Sequence, residues 1–316
     1  MLRVYTRAVF PSQRNKYTLR RSSFSIFVPR PRKHANSSNM SAPFLPKQAV
    51  KFDGALAQEL QGDVSEAIAR QVIKIVQPIK PGFIIHDNGC GYGSVTGEIM
   101  TSDVPSDIKI HSTDKSPNYL SQLRARLAQN PSWPVEVDVM DSNKSTFPDN
   151  YFDLSITDFV LLGLDDELGA AKHILRTLKP GGTAAIAIWK EKPWQAALKE
   201  AHRRTRGSDA PLPPFLAVVD YDTEQFKKLL VEAGFKDTQY YEREAWVHMP
   251  DLKRWATIAW TFLSTPVGGW KQSDEDEWDE AINICVEELQ KGNSHTIKDG
   301  VHKIRMIATI GVTEKK

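Results

Sequence analysis

The sequence predicts an α/β protein with a doubly wound, largely parallel sheet and a helical cap inserted before the last strand. Three observations predict it. Short apolar runs alternate with amphipathic helical patterns between residues 80 and 190, which is the pattern of successive βα units. The first run passes directly into Asp87-Asn88-Gly89-Cys90-Gly91-Tyr92-Gly93, a glycine turn opening a helix. Acidic residues then recur every 27 positions, at Asp87, Asp114 and Asp141, each at the end of a predicted strand. Ligands of open parallel sheets bind along that edge.

The elements follow in order. Residues 41–80 begin as a Ser-Ala-Pro linker and continue as helix, with one apolar patch at Leu56, Ala57 and Leu60. A second patch runs through Ala67, Ile68, Val72, Ile73 and Val76. The first patch is read as a lid with Phe52 facing the ligand, or Phe52 as plain core. Phe83-Ile84-Ile85 is strand one, and Val95, Ile99 and Met100 give its helix. Residues 108–113 are strand two, and Ser116-Pro117 caps and starts the next helix. Val135 to Val139 alternates strictly as strand three; residues 152–157 are strand four. Asp166 to Leu178 is a helix stopped by Lys179-Pro180-Gly181-Gly182, and Thr183 to Trp189 is strand five. Helices are expected at 194–206 and 223–233, strands at 238–247 and 302–312, and largely helical structure over 251–290.

Composition sets limits on function. The 316 residues are 41% apolar and carry a net charge of +2. Residues 1–52 hold 11 Lys/Arg and no acid, which leaves 30 basic against 39 acidic residues in the rest. An acidic body argues against a nucleic-acid groove. No apolar run approaches ~18 residues, so no spanning helix is expected. Two cysteines, Cys90 and Cys285, provide neither a zinc site nor a disulfide framework, and no metal is expected. The Arg- and Ser-rich stretch 1–42 has the composition of a mitochondrial transit peptide or of a basic tail, so cytoplasm and mitochondrion both stand.

The strand-end carboxylates suggest roles. An acid after strand two can accept both hydroxyls of a ribose. One after strand three can accept from an adenine amino group, with Met140 against the ring. Dinucleotide-dependent reductases would want glycine at Ser94 and a Tyr-x-x-x-Lys pair, and neither is present. Thr157-Asp158-Phe159 should lie nearest the reacting centre, and Asp158 is either a base or amine-binding group or a capping carboxylate.

Residues 80–190 resemble the class I S-adenosylmethionine (SAM)-dependent methyltransferases. The loop 87–93 matches motif I and Asp114 the acid of motif II. Asp141 with Phe147-Pro148-Asp149-Asn150-Tyr151-Phe152-Asp153 resembles the following motif, although Ser145-Thr146 departs from its usual Leu-Pro. Residues 175–182 resemble the turn before strand five. The remainder is similar, more loosely, to small-molecule methyltransferases of fungal secondary metabolism, including the gliotoxin S-methyltransferases; the basic extension keeps the mitochondrial quinone-type enzymes in view. The resemblance implies a Rossmann-like seven-stranded sheet, a domain at 43–316 with core 80–190 and cap helices at 192–235 and 251–300, and SAM as cofactor with S-adenosylhomocysteine as product. It places the cofactor against Asp87, Asn88, Gly89, Cys90, Gly91, Asp114, Lys115, Met140, Asp141 and Thr157. It implies methyl transfer to a small, largely apolar acceptor through an O, S, N or C nucleophile. A SAM-binding regulator or a non-methylating enzyme on the same fold is the alternative. Phe52, Trp189, Trp255 and Trp260 are the expected substrate wall, and core packing is the other reading of the tryptophans.

Overall fold

A computed structural model describes residues 43–51, 54–217 and 222–316. The expected transit segment 1–42 and Phe52 lie outside them. Two N-terminal helices, α1 (Gly54–Gln61) and α2 (Val64–Val76), precede β1 (Ile84–Asn88). The alternating core follows as α3 (Ser94–Thr101), β2 (Lys109–Asp114), α4 (Pro117–Gln129), β3 (Val135–Val139), β4 (Phe152–Asp158), α5 (Glu167–Thr177) and β5 (Leu178–Glu191). Then come α6 (Pro193–Arg206), α7 (Pro214–Ala217), α8 (Thr223–Ala233), β6 (Gln239–Met249), α9 (Leu252–Leu263), α10 (Gln272–Asp276), α11 (Trp278–Lys291), β7 (His295–Lys298) and β8 (Val301–Glu314).

The sheet order is β3-β2-β1-β4-β5-β8-β6. The strands β1 to β5 run parallel, and β8 enters antiparallel between β5 and β6. These seven strands are the expected sheet. An eighth, β7, pairs with the start of β8 through a two-residue turn. The chain order reverses between β1 and β4, so the crevice at their C-terminal ends is the switch point of the sheet.

Both faces of the sheet centre are covered, which explains the apolar run of β5 from Ala184 to Trp189, whereas the edge strand β3 alternates and has no buried residue. In β5, Ala185 and Ala187 face the core shared with α2, α6, α9 and α11, while Ala184, Ile186 and Ile188 face α5 and α8. The helix 223–233, grouped with the cap by sequence, therefore belongs to the sheet layer. Its Phe226 and Leu230 pack on β8 where a side chain is missing: a Cβ on Gly311 would lie 3.1 Å from Leu230 and 3.3 Å from Phe226. The helices α6, α9 and α11 pack on one another on the opposite side. Among the described residues no helix is long and apolar enough to cross a membrane.

Gly311→Val should accordingly lower stability by ~1–3 kcal/mol through overpacking. Urea unfolding reads it, and an unchanged midpoint would mean that α8 does not rest on β8.

Candidate functional site

The crevice starts with a buried carboxylate. Asp87, inside β1 rather than after it, is 1% exposed, and its Oδ2 accepts from Thr96 N at 3.0 Å and Thr96 Oγ1 at 2.6 Å. It thus caps the first turn of α3 from across the loop. Burial nevertheless raises its carboxyl to about 6. The next side chain, Asn88, donates to Thr157 Oγ1 (3.2 Å) and accepts from Ser142 Oγ (2.9 Å), tying β1 to the end of β4.

The glycine loop crosses to β2. Gly91 N donates to Asp114 Oδ2 at 3.1 Å, and Ser116 N to Asp114 Oδ1 at 2.8 Å. One carboxylate therefore braces two βα turns, and each oxygen keeps a lone pair for a further donor. Gly91 has φ +53°, and a Cβ there would meet nothing within 4 Å: it faces open space. Gly89 is the opposite case, because its Cβ would fall 2.4 Å from Val160.

Two cavities meet at this edge. One of about 190 Å3 is lined by Gly89, Asp114, Lys115, Tyr119, Met140 and Phe159, among others. The other, of about 260 Å3, lies under α1 and α9 and is walled by aromatic and aliphatic side chains such as Trp189, Trp194, Phe215 and Trp255. Among the described residues its lining includes no Lys, Arg, His, Asp or Glu. Phe159 lines both cavities. Its ring stacks on Trp189 at 4.0 Å and 2°, and its backbone sits at φ +61°, a conformation that bulky residues rarely adopt.

Several expected residues come together here: Gly89, Asp114, Lys115 and Met140 at the first cavity, Trp189 and Trp255 at the second. Gly91 and Asn88 stand at the loop between β1, β2 and β4. Thr157 is fully buried as the acceptor for Asn88, and Cys90 packs with Leu120 and Leu123. Burial pushes the Cys90 thiol far up, so it is no nucleophile. Asp141 caps a short 3-10 turn, accepting from Asn143 N at 2.9 Å, and is not among the residues lining the first cavity.

Trp260 is corrected. It lines a separate cavity with His202 and Arg206, whose guanidinium lies 4.5 Å over its ring. It stands five residues from Trp255 on α9, about 140° around the helix, and is not among the residues lining the second cavity. None of His111, His173, His202 and His248 lines either cavity at the crevice. Sequence reasoning missed Tyr92, Phe215 and Phe262 as lining residues, and named Phe159 only by its place at the end of β4.

Asp158 closes β4. Both its carboxylate oxygens are buried without a hydrogen-bond partner. Burial, reinforced by the nearby Asp87, raises its carboxyl to about 8.

The methyltransferase-domain family matches residues 86–186. Phosphoethanolamine N-methyltransferase 1 of Arabidopsis thaliana is 27% identical over 258 residues, 74% of this chain and 50% of that protein. A ubiquinone/menaquinone biosynthesis C-methyltransferase of Neisseria meningitidis is 32% identical over 145 residues, 42% of this chain and 59% of its own. Acetylaranotin bis-thiomethyltransferase of Aspergillus terreus is 28% identical over 176 residues, 52% of this chain and 58% of its own. The chain spans about half the length of the curated relatives it matches. In fold, it superposes on a candidate methyltransferase of Bacillus halodurans with a TM-score of 0.53 at 14% identity, covering 79% of this chain and 99% of that one.

A raised carboxyl makes a prediction for stability. The folded state holds the Asp158 proton more tightly than the unfolded state, whose carboxyl has the ordinary value of 3.8. Asp158 therefore costs nothing below the unfolded value and destabilises increasingly as pH rises towards about 8. Asp158→Asn should raise the melting temperature by several degrees at pH 8.5 and by much less at pH 5. Equal shifts at the two pH values would contradict a buried, proton-holding carboxyl.

Proposed function

We propose that this chain, whose residues 86–186 form a class I SAM-dependent methyltransferase domain, transfers the methyl group of SAM to a small, neutral, largely apolar acceptor. The observation that carries this reading is the apolar cavity separated from the cofactor edge by one ring, Phe159.

The residues present suit the cofactor. Asp114 has acceptor capacity for the ribose hydroxyls, Met140 offers an apolar surface for the adenine, and the missing Cβ at Gly91 leaves room for close approach. When bound, SAM supplies a methyl group activated on a sulfonium, so the acceptor side needs little oxyanion stabilisation. What this chain contributes is placement. Phe159 and Trp189 form a rigid aromatic wall, and Trp194, Phe215 and Trp255 exclude water around the acceptor. Fixing nucleophile and methyl in line in such a pocket can supply ~7–11 kcal/mol of the barrier.

The lining also narrows the acceptor. A phosphate-bearing acceptor of the kind named for the plant relative calls for Lys, Arg or His in the pocket, and none lines it among the described residues. The apolar wall suits the quinone-type or thiol acceptors that the other two relatives' names imply. A regulator that kept the fold would have its pocket filled by the cap tryptophans. Here the pocket is open, which favours catalysis.

The direct test is incubation with methyl-labelled SAM and small-molecule extracts of the source cells, with products read by mass spectrometry. Label in a neutral apolar metabolite is expected; label only in protein or RNA would overturn the reading. In calorimetry, Asp114→Ala should weaken SAM binding by ~1.5–3 kcal/mol. Gly91→Val should abolish binding while circular dichroism stays native; full binding by either variant would displace the cofactor from this edge.

A second pair of variants separates wall from core. Trp189→Ala should raise the acceptor KM severalfold with kcat less affected. Trp260→Ala, deep in the core at 1% exposure, should instead destabilise by ~3–5 kcal/mol and leave the KM unchanged. The reverse pattern would move the acceptor to the cavity beside Arg206.

A further inference from the structure

Asp158 has no job in the hydrogen-bond framework of the crevice. Asp87 braces α3, Asp114 braces two turns, Asp141 caps its own turn and Asn88 joins β1 to β4. Among the described residues, Asp158 alone brings two carboxylate oxygens into the protein interior with no donor for either.

Among the described residues, its surroundings offer no compensating cation. From β1 it faces Asp87, which acts on it as a like charge. Neighbouring β5 carries Lys190 and Glu191 beyond the paired stretch, and Lys190 is held by Glu242 at 2.5 Å. The turn before β4 contributes Asp141 and Lys144. Of these groups, Asp87 alone acts on the Asp158 carboxyl. An unpaired buried charge is costly, so the carboxyl keeps its proton until a positive charge arrives from outside. The place is specific in the backbone: Asp158 lines neither cavity itself, but the chain passes from it directly into Phe159, which walls both. On the function proposed above, a bound cofactor would bring its sulfur towards that junction, positive before transfer and neutral after it.

We propose that Asp158 is the proton-linked counter-charge of the site, ionised when the sulfonium cofactor is bound and protonated when the neutral thioether product replaces it, so that the site tells the two apart by charge. The inference rests on the SAM reading above. The proton balance is simple. On cofactor binding the carboxyl releases one proton to solvent; once the methyl has left and the sulfur is neutral, one proton returns. No bond other than that O–H is made or broken at Asp158. Its carboxyl, standing at about 8, is protonated in the free protein at neutral pH and poised for this exchange.

Calorimetry on the full chain at pH 7, in phosphate and in Tris, counts the protons exchanged when SAM or S-adenosylhomocysteine binds. Both ligands carry an amino group that can itself exchange protons, so Asp158→Asn is the control. The wild type should release close to one proton more with SAM than with S-adenosylhomocysteine, and Asp158→Asn should remove that difference. Below pH 8 the wild-type preference for SAM should rise roughly tenfold per pH unit, and the variant's should stay flat. Equal proton release by the two ligands in the wild type overturns the inference, and needs no variant to do so. So does a difference that survives in Asp158→Asn. Binding of neither ligand would instead reject the SAM reading itself.

Discussion

The two hydrogen bonds from Thr96 to the buried carboxylate of Asp87 are the constraint on which the rest of the crevice depends. They fix the start of α3 against the end of β1, and so fix the path of the glycine loop between them. The loop then places Gly91 N on Asp114 and leaves Gly91 facing open space. A charged group 1% exposed is expensive unless bonded, which is why the sequence supplies a threonine that donates twice, from backbone and side chain. The parallel sheet sets where this join occurs. With β1 and β4 adjacent and their connections leaving in opposite directions, a crevice opens at their ends without any need for a special loop.

A second constraint sits at the end of β4. Phe159 holds φ +61°, which costs on the order of 1–3 kcal/mol for a residue of its kind and persists only because the surroundings impose it. Stacking on Trp189 and the close fit of Val160 over Gly89 are those surroundings. The result is a partition one ring thick between a polar-edged cavity and an apolar one. In-line transfer requires such an arrangement: cofactor and acceptor approach from different sides and meet without water.

Much of this was legible in the sequence, for identifiable reasons. Strands buried on both faces give apolar runs, and the 27-residue interval between acids follows from one βα unit each, so the first four crossovers were readable. The limits of β1 were not, because Asp87 and Asn88 look like loop residues until their partners Thr96, Thr157 and Ser142 are in place. The short β7 is polar and escaped notice. Its signal was the dipeptide Asp299-Gly300, both residues at positive φ (52° and 75°), the pattern of a tight hairpin. Trp255 and Trp260 lie five helical steps apart, on different faces of α9, so helical geometry separates what their shared residue type groups together. The position of Phe159 at the end of β4 was legible, but its role as a partition was not, since neither its backbone conformation nor its stacking partner, 30 positions away, leaves a local trace.

The central claim is that the cofactor edge and the apolar cavity meet at Phe159. A crystal structure of the chain with S-adenosylhomocysteine tests it most directly. The account predicts the ribose on Asp114, the adenine beside Met140, and the sulfur at the edge of the Phe159 ring, facing the cavity walled by Trp189 and Trp255. A sulfur directed away from that cavity, or a ligand seated beside Arg206 and Trp260, would contradict it.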